Sequence, residues 1–301
     1  KYIVPIFDFN YIGENHASKE SWSTNTSFFD NLKDLTIDDK FNIVLKNFID
    51  PIIWDNYDID VLSKLDRDYL SQSLCYFEFN CNKEEEDNYK ECLNLFLIAN
   101  RIVLQNNIAI KYCICWDAPH TSTKFADDWK YAIASDKDKY DNHEFNKIEI
   151  MEVVRIYDLL KSFNKLSPRT AHAVNFLFLG YTSYYWMESY MLFMTSLEAL
   201  FSPDKIGAIV PEVTNRVIKL IGDTNICSKT KFDKIYSLRS DIIHGKVLTD
   251  LNLSKELPRL QQLQIITLTS FKMILESDFL INYKDEESKE AYYYDLLNEH
   301  K

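Results

Sequence analysis

The sequence is poor in glycine and proline, with five and seven of these residues among 301. This scarcity argues against collagen-like and disordered chains and against all-β folds that need many tight turns. The apolar share of 46% and the charged share of 27% are ordinary for a folded globular protein. We therefore expect a folded chain with much helix, long enough for two domains.

Long uninterrupted hydrophobic runs are also lacking. The longest apolar window, residues 173 to 201, contains Asn175, Glu188 and Glu198, and a charge inside a bilayer costs roughly 2.5 kcal/mol or more. We expect a buried helix there and no membrane segment. No signal-peptide pattern is visible, and the six cysteines follow no disulfide framework. A cytoplasmic protein with reduced thiols is the expectation.

Basic residues are fewer than acidic ones, and the net charge is −12. The imbalance is uneven, because residues 165–277 contain 13 basic and 10 acidic residues while the remainder contains 21 and 36. A chain that binds nucleic acid would use the basic part to contact phosphates. Seven basic residues lie between positions 216 and 246, and they suit a phosphate-facing surface and an ordinary solvated one equally well. If the chain binds RNA, we predict contacts from Arg216, Lys219, Lys234 and Lys246.

The first half of the chain mixes strand and helix patterns. Strands are predicted over residues 2–9, 74–80 and 107–116, and a helix over 86–105. A strand, a helix and a strand in succession indicate a mixed α/β or α+β unit. A polar stretch, residues 118–149, follows as the predicted linker region.

The second half reads as helices throughout. The predicted helices cover residues 148–163, 168–201, 211–221, 229–244 and 255–277, the second of them with a possible break near Gly180. Ser167 and Pro168 form a typical helix start, and Gly245 a typical helix end. The overall class is therefore α+β, with a mixed domain over 1–147, an all-α helical bundle over 148–282 and a charged C-terminal tail over 283–301. We expect this tail to form a loosely held helix.

Arg239 and His244 lie on one predicted helix. On a helical wheel of about 100° per residue, Arg239 falls within an apolar stripe that we expect to be buried. The stripe consists of Phe232, Ile235, Tyr236, Ile242 and Ile243. An unpaired buried guanidinium is costly, so Glu198, Glu188, a partner chain or a phosphate must meet the charge.

An arginine and a histidine are a minimal set for cleaving RNA without a metal ion. Imidazole can take the proton of a ribose 2′-hydroxyl or protonate the leaving oxygen, and guanidinium stabilises charge on the phosphate. A structural interpretation explains the same residues, since buried arginines often pair with carboxylates and histidines often cap helices. The residues alone leave both interpretations open.

The wider segment Lys234-Ile-Tyr-Ser-Leu-Arg-Ser-Asp-Ile-Ile-His-Gly245 resembles the motif of the HEPN superfamily, in its Apea-like branch. Two further segments resemble that branch in the same order, Ser196-Leu-Glu-Ala-Leu-Phe201 and Val213-Thr-Asn-Arg-Val-Ile-Lys-Leu220. The resemblance covers about residues 165–280, and the first half resembles no family that we recognise.

The resemblance implies a helical bundle that forms a homodimer, with Arg239 and His244 of both chains in one ribonuclease cleft. It implies supporting roles for Glu198, Asp241, Ser240 and Tyr236. We therefore expect an endoribonuclease that needs no metal or cofactor, acts on RNA such as tRNA in antiviral defence or as a toxin, and is controlled by an activator or regulator at the N-terminal domain. The alternatives are a non-catalytic HEPN module that dimerises or binds a partner, and a nucleotide-responsive accessory domain.

Other residues carry weaker signals. Cys113, Cys115 and His120 have a metal-like spacing but are too few for zinc, which usually takes four ligands. Cys227 lacks the partners of a catalytic thiol, and His172 is expected in the core. The acidic runs Asp127-Asp128 and Glu84-Glu-Glu-Asp87 are expected to be solvated loops.

Overall fold

The fold was taken from a computed structural model of the chain. The structure describes residues 2–7, 10–11, 35–38, 40, 43–47, 75–80, 83–105, 109–110, 114–115, 144–145, 147–183, 185–203, 209–246 and 253–298. The predictions for Cys113, His120 and Asp127-Asp128 lie outside these residues. The same holds for most of the predicted strand over 107–116, of which only residues 109–110 and 114–115 are described, both as short strands.

The chain divides into two compact units, one of residues 1–100 and 106–154 and one of residues 101–105 and 155–301. The boundary between residues 154 and 155 falls within a helix. It lies seven residues after the domain boundary that the sequence predicts between residues 147 and 148. The whole segment 283–301 belongs to the second unit.

The first unit is built on an antiparallel sheet. Its strands are β1 (Tyr2–Phe7), β3 (Leu35–Asp38), β4 (Ile43–Asn47), β5 (Cys75–Phe79), β6 (Ala109–Ile110) and β7 (Ile114–Cys115), in the order β3-β4-β5-β1-β6, with β7 also on β1. Two further strands, β2 (Asn10–Tyr11) and β8 (Glu144–Phe145), pair in parallel.

A helix separates β5 from β6, as the sequence pattern predicted. Helix α1 (Glu86–Leu104) follows β5, and aromatic pairs join the two elements. Phe77 meets Phe96 edge-on at 5.1 Å, and Phe79 stacks on Tyr89 at 4.5 Å. Because β5 and β6 are both antiparallel to β1, they run in the same direction on its two sides, which requires such a crossover.

The second unit is helical. It contains the end of α1, most of α2 (Lys147–Phe163), and α3 (Pro168–Thr182), α4 (Trp186–Phe201), α5 (Ile209–Ile221), α6 (Lys229–Ile243), α7 (Leu253–Glu276) and α8 (Glu286–Asn298). Within the described residues no helix is sufficiently long and apolar to span a membrane. The predicted helix start at Ser167 is confirmed, since its side chain accepts from the backbone of Thr170 in a capping box with Pro168 in the first turn.

The predicted helix over 168–201 is two helices. The first ends at Ser183 and the second begins after Tyr185, both of which have extended backbone. Gly180 remains helical and serves packing instead, because a Cβ there would come within 2.9 Å of the Phe193 ring. Two buried hydroxyls tie the helices into an antiparallel hairpin, Ser189 to the Gly180 carbonyl at 2.6 Å and Ser196 to the Ala173 carbonyl at 2.7 Å.

Residues 286–298 form a helix, as expected, but this helix is not loosely held. Tyr293 and Lys289 on α8 are buried, and Phe201 packs against the Tyr293 ring. The guanidinium of Arg216 on α5 lies over the Tyr293 ring, 4.7 Å from the centre of the ring. The many charged residues of this segment suggested solvent exposure, but several of them form buried ion pairs.

Candidate ribonuclease site

Helix α6 carries Arg239 and His244 and is fixed to α4 at two points. The Tyr190 hydroxyl donates to the Ile235 carbonyl at 2.8 Å, and the Arg239 Nη2 donates to the Glu198 Oε2 at 3.0 Å. Of the two carboxylates proposed from the sequence, Glu198 is thus the one that meets the charge of Arg239. The ion pair is half-buried, with 26% of the arginine side chain and 20% of the glutamate side chain exposed.

Burial and the Arg239 charge act in opposite directions on Glu198. Burial raises the pKa of the Glu198 carboxyl, the neighbouring Arg239 and Tyr236 lower it, and the net direction is upward. The carboxyl is therefore easier to protonate than a free glutamate, and each protonation weakens its hold on Arg239.

Within the part of the chain that the structure describes, the buried Arg239 Nε beside this ion pair has no hydrogen-bond partner. Arginine has five N–H donors, and the bond to Glu198 uses one. Glu198 thus holds one side of the Arg239 guanidinium, and the remaining N–H groups can donate to a further acceptor. Tyr236, for which the resemblance implies a supporting role, lies close enough to Glu198 and Arg239 for both charges to act on its pKa.

His244 ends α6 as its C-cap residue and is exposed. Gly245 follows with φ of +66°, its N–H donates to the Ile242 carbonyl at 3.1 Å, and the Lys246 N–H donates to the Asp241 carbonyl at 3.0 Å. These two bonds and the left-handed residue make a Schellman motif. The turn sets the direction in which the chain leaves the helix and leaves the imidazole facing solvent.

His244 lies five positions after Arg239, at the C-cap of the same helix. On an ideal helix, five positions correspond to about 140° around the axis and about 7.5 Å along it. A single copy therefore presents an anchored guanidinium and an exposed imidazole on different sides of one helix end.

The predicted buried stripe of α6 is only partly correct. Phe232, Ile235 and Tyr236 are buried, whereas Ile243 is 52% exposed. Leu238, which lies off the predicted stripe, is buried instead. The last turn of α6 therefore places an apolar side chain in solvent next to His244.

The predicted RNA-contacting residues separate into two groups. Lys234 and Lys246 are exposed and Lys219 is half-exposed. Arg216 is buried and is bound by both oxygens of Glu290 at 2.9 and 2.6 Å. The prediction for Arg216 is wrong, because its donors face a carboxylate inside the bundle and cannot reach a phosphate at the surface.

The two polar motif residues lie at the surface. Ser240 is exposed, and Asp241 pairs with Lys246 at 3.6 Å, with 40% and 68% of these side chains exposed. Such a surface pair contributes little to stability, roughly 0 to 1 kcal/mol. Lys246 therefore remains available to an anionic ligand.

The weaker candidates do not add to the site. His172 is exposed on α3 and not in the core as expected, with its ring 6.2 Å from that of Phe176. Cys227 is buried, and burial raises its thiol pKa to about 11, far from that of a nucleophilic thiolate. Glu84, Glu85 and Asp87 are exposed at the start of α1.

No family model, no curated protein and no solved structure matches this chain.

Proposed function

We propose that the chain is a metal-independent endoribonuclease of the HEPN type, with Arg239 and His244 as its catalytic pair. The observation that carries the proposal is the Arg239 guanidinium, which Glu198 holds at 3.0 Å while other donors stay free, on a helix whose end exposes His244. A fixed cation with free donors suits a phosphate that gains charge in the transition state.

The proposed reaction begins with the 2′-hydroxyl of the RNA. An imidazole takes its proton, the 2′-oxygen attacks the adjacent phosphorus, and the bond from phosphorus to the 5′-oxygen breaks. A protonated imidazole returns a proton to that oxygen, which leaves a 2′,3′-cyclic phosphate and a 5′-hydroxyl end. The guanidinium of Arg239 binds the phosphate oxygens throughout, and no metal ion takes part.

Two copies of the chain form the proposed active site. One helix end holds Arg239 and His244 on different sides, so the pair that acts on one phosphate is drawn from two chains. Lys234, Lys246 and Lys219 then contact neighbouring phosphates. In this proposal the protein is cytoplasmic and acts in antiviral defence or as a toxin, with the first unit as the site of an activator or regulator.

The test is cleavage of total tRNA and of a long single-stranded RNA in excess chelator by the purified protein. We expect His244→Ala to abolish cleavage, and His172→Ala, a change of another exposed histidine, to preserve it. Equal cleavage by wild type and His244→Ala would remove His244 from the reaction.

A second candidate is a non-catalytic module whose α6 end binds another copy or a partner. It is favoured by the 52% exposure of Ile243 and by the fact that Glu198 alone accounts for the charge of Arg239. This candidate predicts that His244→Ala weakens association, as measured by light scattering, while the wild type cleaves no RNA.

A further inference from the structure

Cations from three helices meet the last carbonyl groups of α4. Arg169 of α3 donates to the Ser202 carbonyl at 3.0 Å, and Lys289 of α8 donates to the same oxygen at 3.0 Å. Arg216 of α5 donates to the Phe201 carbonyl at 3.2 Å. The last carbonyls of a helix lack intrahelical partners and carry partial negative charge, so cations are well placed there.

Two carboxylates of α8 hold these cations in position. Glu286 pairs with Arg169 at 2.5 Å and with Lys289 at 2.5 Å. Glu290 binds Arg216 through both oxygens at 2.9 and 2.6 Å. We call this group of five residues the α4 clasp.

Two cations of the clasp are closed to water, since the Lys289 side chain is 1% exposed and that of Arg216 is 4% exposed. The other three side chains are partly exposed, with 25% for Arg169, 39% for Glu286 and 34% for Glu290. Burial lowers the pKa of the Lys289 ammonium group. Burial also acts to raise the pKa of the Glu290 carboxyl, but the Arg216 guanidinium has the larger effect and holds this pKa below its ordinary value. Buried charges of this kind keep their places only when every partner is present.

The end of α4 that the clasp holds also carries Glu198. The Glu198 carbonyl accepts the Ser202 N–H at 2.9 Å, so the residue that holds Arg239 and the residue bound by Lys289 share one turn. A shift of that turn moves the Glu198 carboxylate and, with it, the guanidinium that it orients.

We infer that α8 is a positioning element of the ribonuclease site, in which Lys289 and Glu290 fix the last turn of α4 and thereby the Glu198–Arg239 pair. The expected effect of α8 on catalysis rests on the proposed function. The expected effect of α8 on the position of Arg239 does not. A displacement of a catalytic group by about 1 Å can reduce the rate on the order of a hundredfold.

The test compares Glu290→Gln with Glu287→Gln, a change of an exposed glutamate on the same helix. The first readout is the NMR signal of the Arg239 Nε–H, a donor that is buried in the wild type. We expect this signal to shift and exchange faster with water in Glu290→Gln and to stay unchanged in Glu287→Gln. An unchanged signal in Glu290→Gln would overturn the inference, whether or not the protein cleaves RNA.

The second readout is kinetic. We expect Glu290→Gln to reduce kcat on the order of tenfold with little change in KM, and to have no further effect in a Glu198→Gln background. Effects that add in the double variant would show that α8 does not act through Glu198 and would overturn this inference. Lys289→Met is a second variant with the same expectation. If Lys289→Met does not fold, Glu290→Gln remains informative because it keeps an acceptor for Arg216.

If the wild type cleaves no RNA, the proposed function fails and the Arg239 signal alone decides the positioning role.

Discussion

Gly245 shows how one backbone conformation determines the place of a candidate catalytic side chain. With φ of +66° it closes the Schellman motif that follows His244. A Cβ at this position would meet no atom of the described residues within 4 Å, so the cost of a larger residue comes from the left-handed backbone.

Gly245→Ala is therefore expected to destabilise the protein by about 1 kcal/mol, and Gly245→Asn by less, because asparagine tolerates this conformation. Thermal unfolding of the two variants measures the difference. Equal stability of wild type and Gly245→Ala would show that the turn at the end of α6 is not set by the glycine.

Individual residues of the site were predictable to different degrees. The helical wheel predicts that Arg239 lies on the inner side of α6, where Glu198, Glu188, a partner chain or a phosphate could meet its charge. The sequence does not decide among these, and the structure brings Glu198 to the guanidinium. The burial of Arg216 could not be predicted from the sequence. Its partner Glu290 is 74 residues further along the chain, and a basic residue on an amphipathic helix suits a solvent-facing position equally well.

At the level of elements, the close approach of α3 and α4 depends on Gly180. The Phe193 ring occupies the space that a side chain at position 180 would need, with the nearest ring carbon 2.9 Å from an ideal Cβ. Two buried hydroxyl contacts on either side keep the helices at this distance.

Gly180→Ala is expected to lower the free energy of unfolding by about 1 to 3 kcal/mol, since an added methyl group must displace a packed ring. Denaturant titration measures the change, with Asn175→Ala, an exposed position on the same helix, as the control. A more stable Gly180→Ala variant would mean that the gain in helix propensity exceeds the clash.

Helix positions followed from the sequence better than helix packing. Apolar spacing and capping residues set the bounds of α1, α2, α5, α6 and α7 to within two residues. The break between α3 and α4 was placed near Gly180 because glycine usually interrupts helices, yet the extended residues are Ser183 and Tyr185. The packing of α8 was missed because its charged residues find their partners inside the bundle.

For the whole molecule, the predicted combination of a mixed first half and a helical second half agrees with the described elements. The antiparallel order of the sheet was not predictable, because strand patterns carry no information on which strands pair. The function that we propose for the second unit rests on the HEPN resemblance and the geometry of α6.

The proposed composite site predicts a dimer in solution. Ile243, exposed next to His244, is the apolar side chain best placed for a contact between copies, so Ile243→Glu is expected to shift the protein toward monomer in light scattering. Ile209→Glu, at another exposed isoleucine, serves as the control and is expected to leave the mass unchanged. A monomeric wild type at concentrations where it cleaves RNA would contradict the composite site.

The most direct test of the central claim is the chemistry of the cut. A short RNA with one preferred cleavage position is compared with the same RNA carrying a single 2′-deoxyribose at that position, in excess chelator. The account predicts a 2′,3′-cyclic phosphate end from the unmodified RNA and no cut at the deoxyribose. Cleavage at the deoxyribose, or a product with a 5′-phosphate, would contradict attack by the 2′-hydroxyl and the roles given to Arg239 and His244.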